Sequence, residues 1–415
     1  MSGYNIWCKW HPLRSVMLGD CYHPEYFRDI KNDRIRAALE TIAAETVEDL
    51  DNFQKVLGDY GATVLRPKIN PHANIMDMMN DQGQVKGLQG VPRSPLQPRD
   101  AQLVIGNQLY TLHNDHHAIM QELQRYDDRS HSYVNLILGL SKQPDDVKKR
   151  MRCIPQWRWQ QVSKPSWGSY DDYVKLSYFD ELDPAQHEEV LRHHITHHPA
   201  IWAPSMTLVG RDLYIDYMNE QGRQHQPLDP MQLELITQHA DLRINGLSIG
   251  GHNDGCFHTL KPGAILSLRD IQDYADTFPG WDVCFLPNQS WAKMSGFMKI
   301  KEQVKGKWWV PGQEENHEFT HFVETWLQDW VGYAEESVFD VNVLMLDESH
   351  VCVSNYNATA FEFFKKHKIE PIIVPWRHRY FWDGGLHCIT LDLNREGTQE
   401  DYFPQRQAPV FDQGL

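Results

Sequence analysis

Val343-Leu344-Met345-Leu346-Asp347-Glu348-Ser349-His350-Val351-Cys352-Val353, continued by residues 358–367 and then Ile372-Ile373-Val374, decides how this chain is read. The first run is apolar on both sides of a central Asp347-Glu348 pair, which predicts a hairpin. Residues 358–367 carry apolar side chains at helical spacing, and the third run is short and β-branched. Hairpin, helix and strand together make a ββαβ module. The hairpin signature recurs at 103–110 around Gly106-Asn107, at 208–215 around Gly210-Arg211 and at 260–266 around Pro262-Gly263. Residues 35–60 predict a long helix that stops at Gly61, with a strand over 62–67, and residues 231–240 predict a further helix. The spacing is too irregular for a solenoid, so the modules are expected to gather around a centre in an α/β fold.

Two segments interrupt the pattern. Residues 67–98 are rich in Pro, Asn, Met, Gln and Gly, and residues 288–332 hold a Trp and Lys cluster followed by acidic residues. Both read as long insertions, either covers over a site or plain surface excursions, within a single domain spanning 1–415.

Composition narrows the class of protein. The chain of 415 residues is 41% hydrophobic and 23% charged, near globular averages, and contains no apolar run long enough to span a bilayer. Its start, Met1-Ser2-Gly3-Tyr4-Asn5-Ile6-Trp7, has neither the basic nor the apolar block of a signal peptide, so a cytoplasmic location is expected. The seven cysteines show no CxxC pair and suit a reduced compartment. A formal net charge of −16 argues against binding nucleic acid and suits a small cationic substrate.

The chemistry concentrates in two islands. Gly384-Gly385-Leu386-His387-Cys388 delivers a thiol from a glycine turn to the start of an apolar alternation, a placement that opens one side of the sulfur to substrate. His252-Asn253-Asp254, after Gly250-Gly251, offers an imidazole and a carboxylate. A cysteine with a distant histidine is the layout of a thiol enzyme. Cys8, Cys153, Cys284 and Cys352, flanked by apolar residues, read instead as small buried hydrophobes.

Around these islands the text resembles the glycine amidinotransferase family of the guanidine-modifying (pentein) superfamily. The matches run in order through Trp10-His11-Pro12-Leu13, Pro98-Arg99-Asp100, Val104-Ile105-Gly106-Asn107, Gly210-Arg211-Asp212 and His252-Asn253-Asp254. They continue through Pro262-Gly263, 342–348 and Gly384 to Cys388. The resemblance implies a five-bladed α/β propeller of pseudo-fivefold ββαβ modules. It also implies that Cys388 attacks the guanidinium carbon of arginine, releasing ornithine and leaving an amidino-cysteine for an amine acceptor. His252 would then protonate the leaving amine and deprotonate the acceptor, while Asp100 and Asp254 line the guanidinium pocket. These roles suit the chemistry. A guanidinium is a flat, permanently charged donor fork that carboxylates cradle, and a departing amine needs a general acid. The implied partners are a small guanidino donor and an amine acceptor, with no nucleic acid, no membrane and no cofactor; a homodimer is a further expectation.

The chain departs from the family at several places. Ser205 aligns with a family aspartate, and strand geometry is expected to keep Asp212 and Asp216, downstream on the same hairpin, away from that point. Asp340 replaces a small hydroxyl residue near the far end of the substrate. Ile271 stands where the family has a carboxylate-gripping arginine, with Arg269 nearby, and Gly250-Gly251 replaces bulkier residues. Asp340 favours an amine over a carboxylate at the tail of the ligand. Two other readings remain, a guanidine hydrolase of the same superfamily and a catalytically silent guanidine-binding homologue. The histidine clusters His193-His194-Ile195-Thr196-His197-His198 and His113, His116 and His117 lack an HExxH signature and read as solvated faces, so no metal is expected.

Overall fold

The computed structural model describes residues 3–79, 91, 93–100, 102–111, 117–127, 203–216, 241–247, 252–268, 274–286, 308–328, 330–331 and 338–406. Among them the strands form five small sheets. Strands β1 (Leu13–Leu18) and β2 (Thr63–Leu65) share a sheet with β14 (Thr390–Arg395). The next two sheets are β3 (Gln102–Ile105) with β4 (Gln108–Thr111), and β5 (Met206–Val209) with β6 (Asp212–Asp216) and β7 (Arg243–Leu247). Strands β8 (Phe257–Lys261), β9 (Ala264–Ser267) and β10 (Asp282–Phe285) form the fourth sheet, and β11 (Leu344–Asp347), β12 (His350–Val353) and β13 (Glu370–Ile373) the fifth.

One plan repeats. In the sheets of β5–β7, β8–β10 and β11–β13 an antiparallel hairpin is followed by a parallel third strand. The same plan holds for β14, β1 and β2, with the last strand of the chain serving as the first of the module. The two ends of the described chain are thereby joined in one sheet.

The repeated hairpins lie where the alternation predicts, with one difference. The fifth-sheet turn is Glu348-Ser349 rather than Asp347-Glu348, because the Asp347 carboxylate accepts from the Ser349 amide at 2.6 Å and mimics a turn from the strand end. Helix α1 (Asp33–Tyr60) begins where Asn32 accepts from the amides of Arg34 and Ile35, and ends at Gly61, whose φ of 101° only glycine adopts without strain. The helix at Ala358–Lys366 and the strand after it are also observed, whereas residues 231–240 lie outside the described residues.

The described parts of the two insertions pack into the core. Ile75, Met79, Val91 and Leu96 from one, and Trp308, Phe319, Val323, Leu327 and Trp330 from the other, are buried in the same core as the apolar face of α1. Trp330 Nε1 donates to the Val91 carbonyl at 2.8 Å, so the insertions brace each other. Burial of apolar area at about 25 cal/mol per Å² explains why their large side chains turn inward. Cys8 and Cys352 are fully buried as expected, while Cys284 is only half-buried because it sits on β10, a sheet edge. Cys153 lies outside the described residues.

A buried ion network ties β14 to its neighbours. Arg395, 0% exposed, donates to Asp392 Oδ2 at 2.9 Å and to the carbonyls of His11 and Met345. Burial works against charge on Asp392, but Arg395 and Arg99 outweigh it and hold its carboxyl below the usual range. Asp392→Ala is expected to cost about 3–5 kcal/mol by stranding Arg395 in the interior. Urea unfolding measures this, and a much smaller loss would show the network to be dispensable.

Candidate active site

Each module is led by a short turn, and these turns meet. The 3-10 turn Pro98–Asp100 precedes β3, Ala203–Ser205 precedes β5, Asn253–Gly255 precedes β8, the helical turn Val338–Val341 precedes β11, and residues 384–388 precede β14. The turn 98–100 packs on 203–205, 203–205 on 253–255, and 253–255 on 338–341. Asn342 bonds to the 384–388 turn, and β14 returns to 98–100, closing a ring. Asp100, Ser205, Asp254, Asp340 and Cys388 occupy corresponding places in it.

Close packing fixes the thiol turn. Asp383, at φ 50°, is a non-glycine residue in the left-handed region, a conformation of the kind often found where geometry is held for function. A Cβ on Gly385 would lie 2.6 Å from both Cβ and Oδ1 of Asn342, and one on Gly384 would lie 2.6 Å from Gln97 Nε2. These glycines therefore serve close approach rather than a positive φ. Asn342 Oδ1 accepts from the amides of His387 at 2.9 Å and Cys388 at 3.1 Å, and its Nδ2 donates to Cys388 Sγ at 3.0 Å. Gln97 Nε2 donates to the carbonyls of Trp382 and Asp383, and Arg99 Nε to those of His387 and Thr390.

Cys388 donates to Asp254 Oδ2 at 3.7 Å, and the same oxygen is 2.6 Å from His387 Nδ1. The sulfur is enclosed, at 6% exposure for the residue, and is not open on one side as the turn alone predicts. Burial pushes its pKa well above the ordinary 9.0, and Asp254 and Asp100 push it further, against opposing contributions from the Gly385 backbone and Asn342. These contributions together favour the thiol over the thiolate. Alkylation of Cys388 by iodoacetamide is expected to be slower than that of a free thiol at neutral pH and to keep rising above pH 9. A plateau near neutrality would contradict this.

Burial drives the His387 pKa well below 6.5, with Arg99 and Lys9 adding to the shift, so the neutral ring donates from Nδ1 to Asp254 and leaves Nε2 enclosed. Lys9, also enclosed, has its pKa drawn down to about 8 by burial, while Asp254 favours its charge.

Of the expected residues, Cys388 and Asp254 are in direct contact. Asp100 acts on the thiol through its charge, and its Oδ2 accepts from Arg93 at 3.2 Å. His252 is half-buried at the head of the turn carrying Asp254. Ser205 is buried at the end of its turn, and Asp340 Oδ2 accepts from Asn357 at 2.9 Å. Gly250, Gly251, Arg269, Ile271 and the clusters at 193–198 and at His113 and His116 lie outside the described residues, as does the side chain of His117. Among the described residues no group of His, Cys, Asp and Glu is arranged to hold a metal. Sequence reasoning passed over Asn342, His387, Gln97 and Lys9. Asn342 stands just before an apolar strand and His387 beside the cysteine, positions that signal a role only once the turns are seen to meet.

The α/β fold is shared with solved amidinotransferases. Over 96% of this chain and 99% of the other, the structure matches an amidinotransferase from Microseira wollei in the saxitoxin biosynthetic pathway, with TM-score 0.53 and 18% identity. In sequence the chain is similar to the mitochondrial glycine amidinotransferase of Xenopus tropicalis, 43% identical over 49% of this chain and 41% of that protein. It is also similar to the L-arginine:L-lysine amidinotransferase of Pseudomonas savastanoi pv. phaseolicola, 24% identical over 36% of this chain and 32% of the other. The matches thus span less than half the length of these relatives. No family model matches the chain. Among the described residues no helix is long and apolar enough to cross a membrane.

Proposed function

We propose that the chain is a five-bladed α/β propeller that moves an amidino group from a guanidino donor to an amine through an adduct on Cys388. The observation that carries this reading is the enclosed Cys388 sulfur 3.7 Å from Asp254 Oδ2, with Asn342 clamping the turn. The five sheets and their ring of leading turns support the propeller. The similarity to arginine:lysine and glycine amidinotransferases supports the reaction class.

In this reading the guanidinium lies between Asp254 and Asp100, and its positive charge offsets the carboxylates that disfavour the thiolate. Cys388 passes its proton to His252 and the sulfur attacks the guanidinium carbon. The bond from that carbon to the substituted nitrogen breaks as His252 protonates the departing amine. An acceptor amine then gives a proton to His252 and attacks the same carbon, and the C–S bond breaks to restore the sulfur. Arginine is the donor suggested by the relatives. Asp340 points to a donor or acceptor with a cationic tail.

Intact-mass analysis after incubation with guanidino compounds tests the proposal. The expected result is one amidino increment that is absent in Cys388→Ala and discharged by an amine. A ureido product formed without an acceptor selects the hydrolase, and binding with no adduct across the whole panel overturns thiol chemistry.

A further inference from the structure

Close to Asp254 lie buried polar groups that the proposed chemistry does not use. Lys9 stands between the fully buried Cys8 and Trp10 and is itself 8% exposed. Its Nζ finds no hydrogen-bond partner among the described residues, and neither does Asp254 Oδ1. His258, on β8, is 0% exposed with both ring nitrogens likewise without partners, and its ring meets that of His387 edge to face at 5.0 Å between centroids. A buried ammonium is costly unless an opposite charge compensates it.

The charges acting on Lys9 come from several elements. Asp254, on the turn before β8, is the strongest that favours the ammonium, followed by Asp392 on β14, while Arg99 and Arg395 oppose it. Asp392 is already engaged, accepting from Arg99 at 3.2 Å and from Arg395 at 2.9 Å. His258 and His387 add no charge at neutral pH, because burial drives both imidazoles well below their ordinary pKa, with Lys9 contributing to each shift. Asp254 is thus left as the carboxylate that answers Lys9.

We propose that Lys9 is the internal counter-cation of Asp254, a positioning residue that steadies the carboxylate in the unliganded protein and competes for it with an arriving guanidinium. One carboxylate does not fully compensate two cations, so donor binding drives a proton from the Lys9 ammonium to solvent and leaves a neutral amine. Affinity for the cation therefore rises with pH as Lys9 loses its charge. The inference rests on the reading of the site as a guanidinium pocket, and it names a residue that tunes the affinity of that pocket.

Calorimetry in buffers of different ionisation enthalpy tests it, with methylguanidine as ligand and Cys388→Ala in every protein to prevent reaction. Lys9→Met, and separately Lys9→Gln, is expected to remove about half a proton or more from the release at pH 7 and to tighten binding there by about threefold to tenfold, because the competing charge is gone. The gain is expected to fade above the Lys9 midpoint, where the lysine is neutral without substitution. A merely structural role predicts weaker or unchanged binding in both variants with unchanged proton release, and that result overturns the proposal. NMR of protein carrying isotope-labelled lysine follows Lys9 without ligand, its signal being assigned by loss in Lys9→Met. The titration midpoint is expected at about 8, below the usual lysine range, and lower by roughly one pH unit or more in Asp254→Asn. A midpoint that Asp254→Asn leaves in place overturns the pairing of Lys9 with Asp254. If methylguanidine does not bind, the guanidinium reading fails, while this titration still decides whether Lys9 is the counter-cation of Asp254.

Discussion

A methyl group added at Gly385 is expected to reduce the proposed amidino transfer by about 100-fold or more while leaving the molecule folded, because angstrom-scale misplacement of a reacting group costs that much. The added carbon would sit 2.6 Å from Asn342 Cβ and Oδ1. Asn342 is fully buried and its amide is spent on Asp254, Cys388 and the two turn amides, so it has nowhere to yield. The thiol turn must move instead, taking the sulfur away from Asp254. Overpacking of this kind costs about 1–3 kcal/mol of stability, less than the roughly 5–15 kcal/mol by which folded proteins are stable. The rate of adduct formation on Cys388, compared with the melting temperature, checks the prediction. An adduct forming at the wild-type rate in Gly385→Ala would mean that the turn is not held by this contact.

Asp254→Asn is expected to move two reactions of the same sulfur in opposite directions. Asp254 is the largest charge contribution raising the Cys388 pKa, so its neutralisation eases ionisation and speeds alkylation by iodoacetamide at neutral pH. The guanidino donor, in contrast, loses a carboxylate at the reacting carbon. Loss of one partner of a buried charged contact costs about 2–5 kcal/mol, so amidination falls by about 100-fold or more. Asparagine keeps the shape and offers His387 Nδ1 an oxygen to replace the one at 2.6 Å. The turn therefore has no reason to collapse. Parallel loss of both reactions would point to disruption of the site rather than to a role for the charge.

Both expectations follow from one electrostatic feature. The sulfur lies buried among carboxylates, with the Gly385 backbone and the Asn342 amide opposing them. In the proposed reading such a setting disfavours the thiolate until a cation offsets the carboxylates. The acidic net charge of −16, weak evidence by itself, is consistent with attracting one.

The hairpins around Gly106, Gly210 and Gly263 and the long helix capped by Asn32 and Gly61 were legible because turn chemistry and apolar period are local properties. Cys388 and Asp254 were legible as chemistry-bearing types on turns. The packing of the insertions was not legible, since composition does not reveal that Trp308, Phe319 and Trp330 find a partner surface on α1. Asn342 and His387 were passed over because an amide beside a strand and an imidazole beside a cysteine are ordinary until another turn is brought against them.

The sequence by itself determined the repeating module, the strand and helix periods and the candidate nucleophile, all of which depend on residues within a few positions of one another. Only the tertiary structure decided that the five leading turns close into a ring and that Cys388 is enclosed there in a setting that disfavours its ionisation. Those outcomes depend on strand register and on desolvation by distant segments, and neither quantity is carried by any one stretch of the chain.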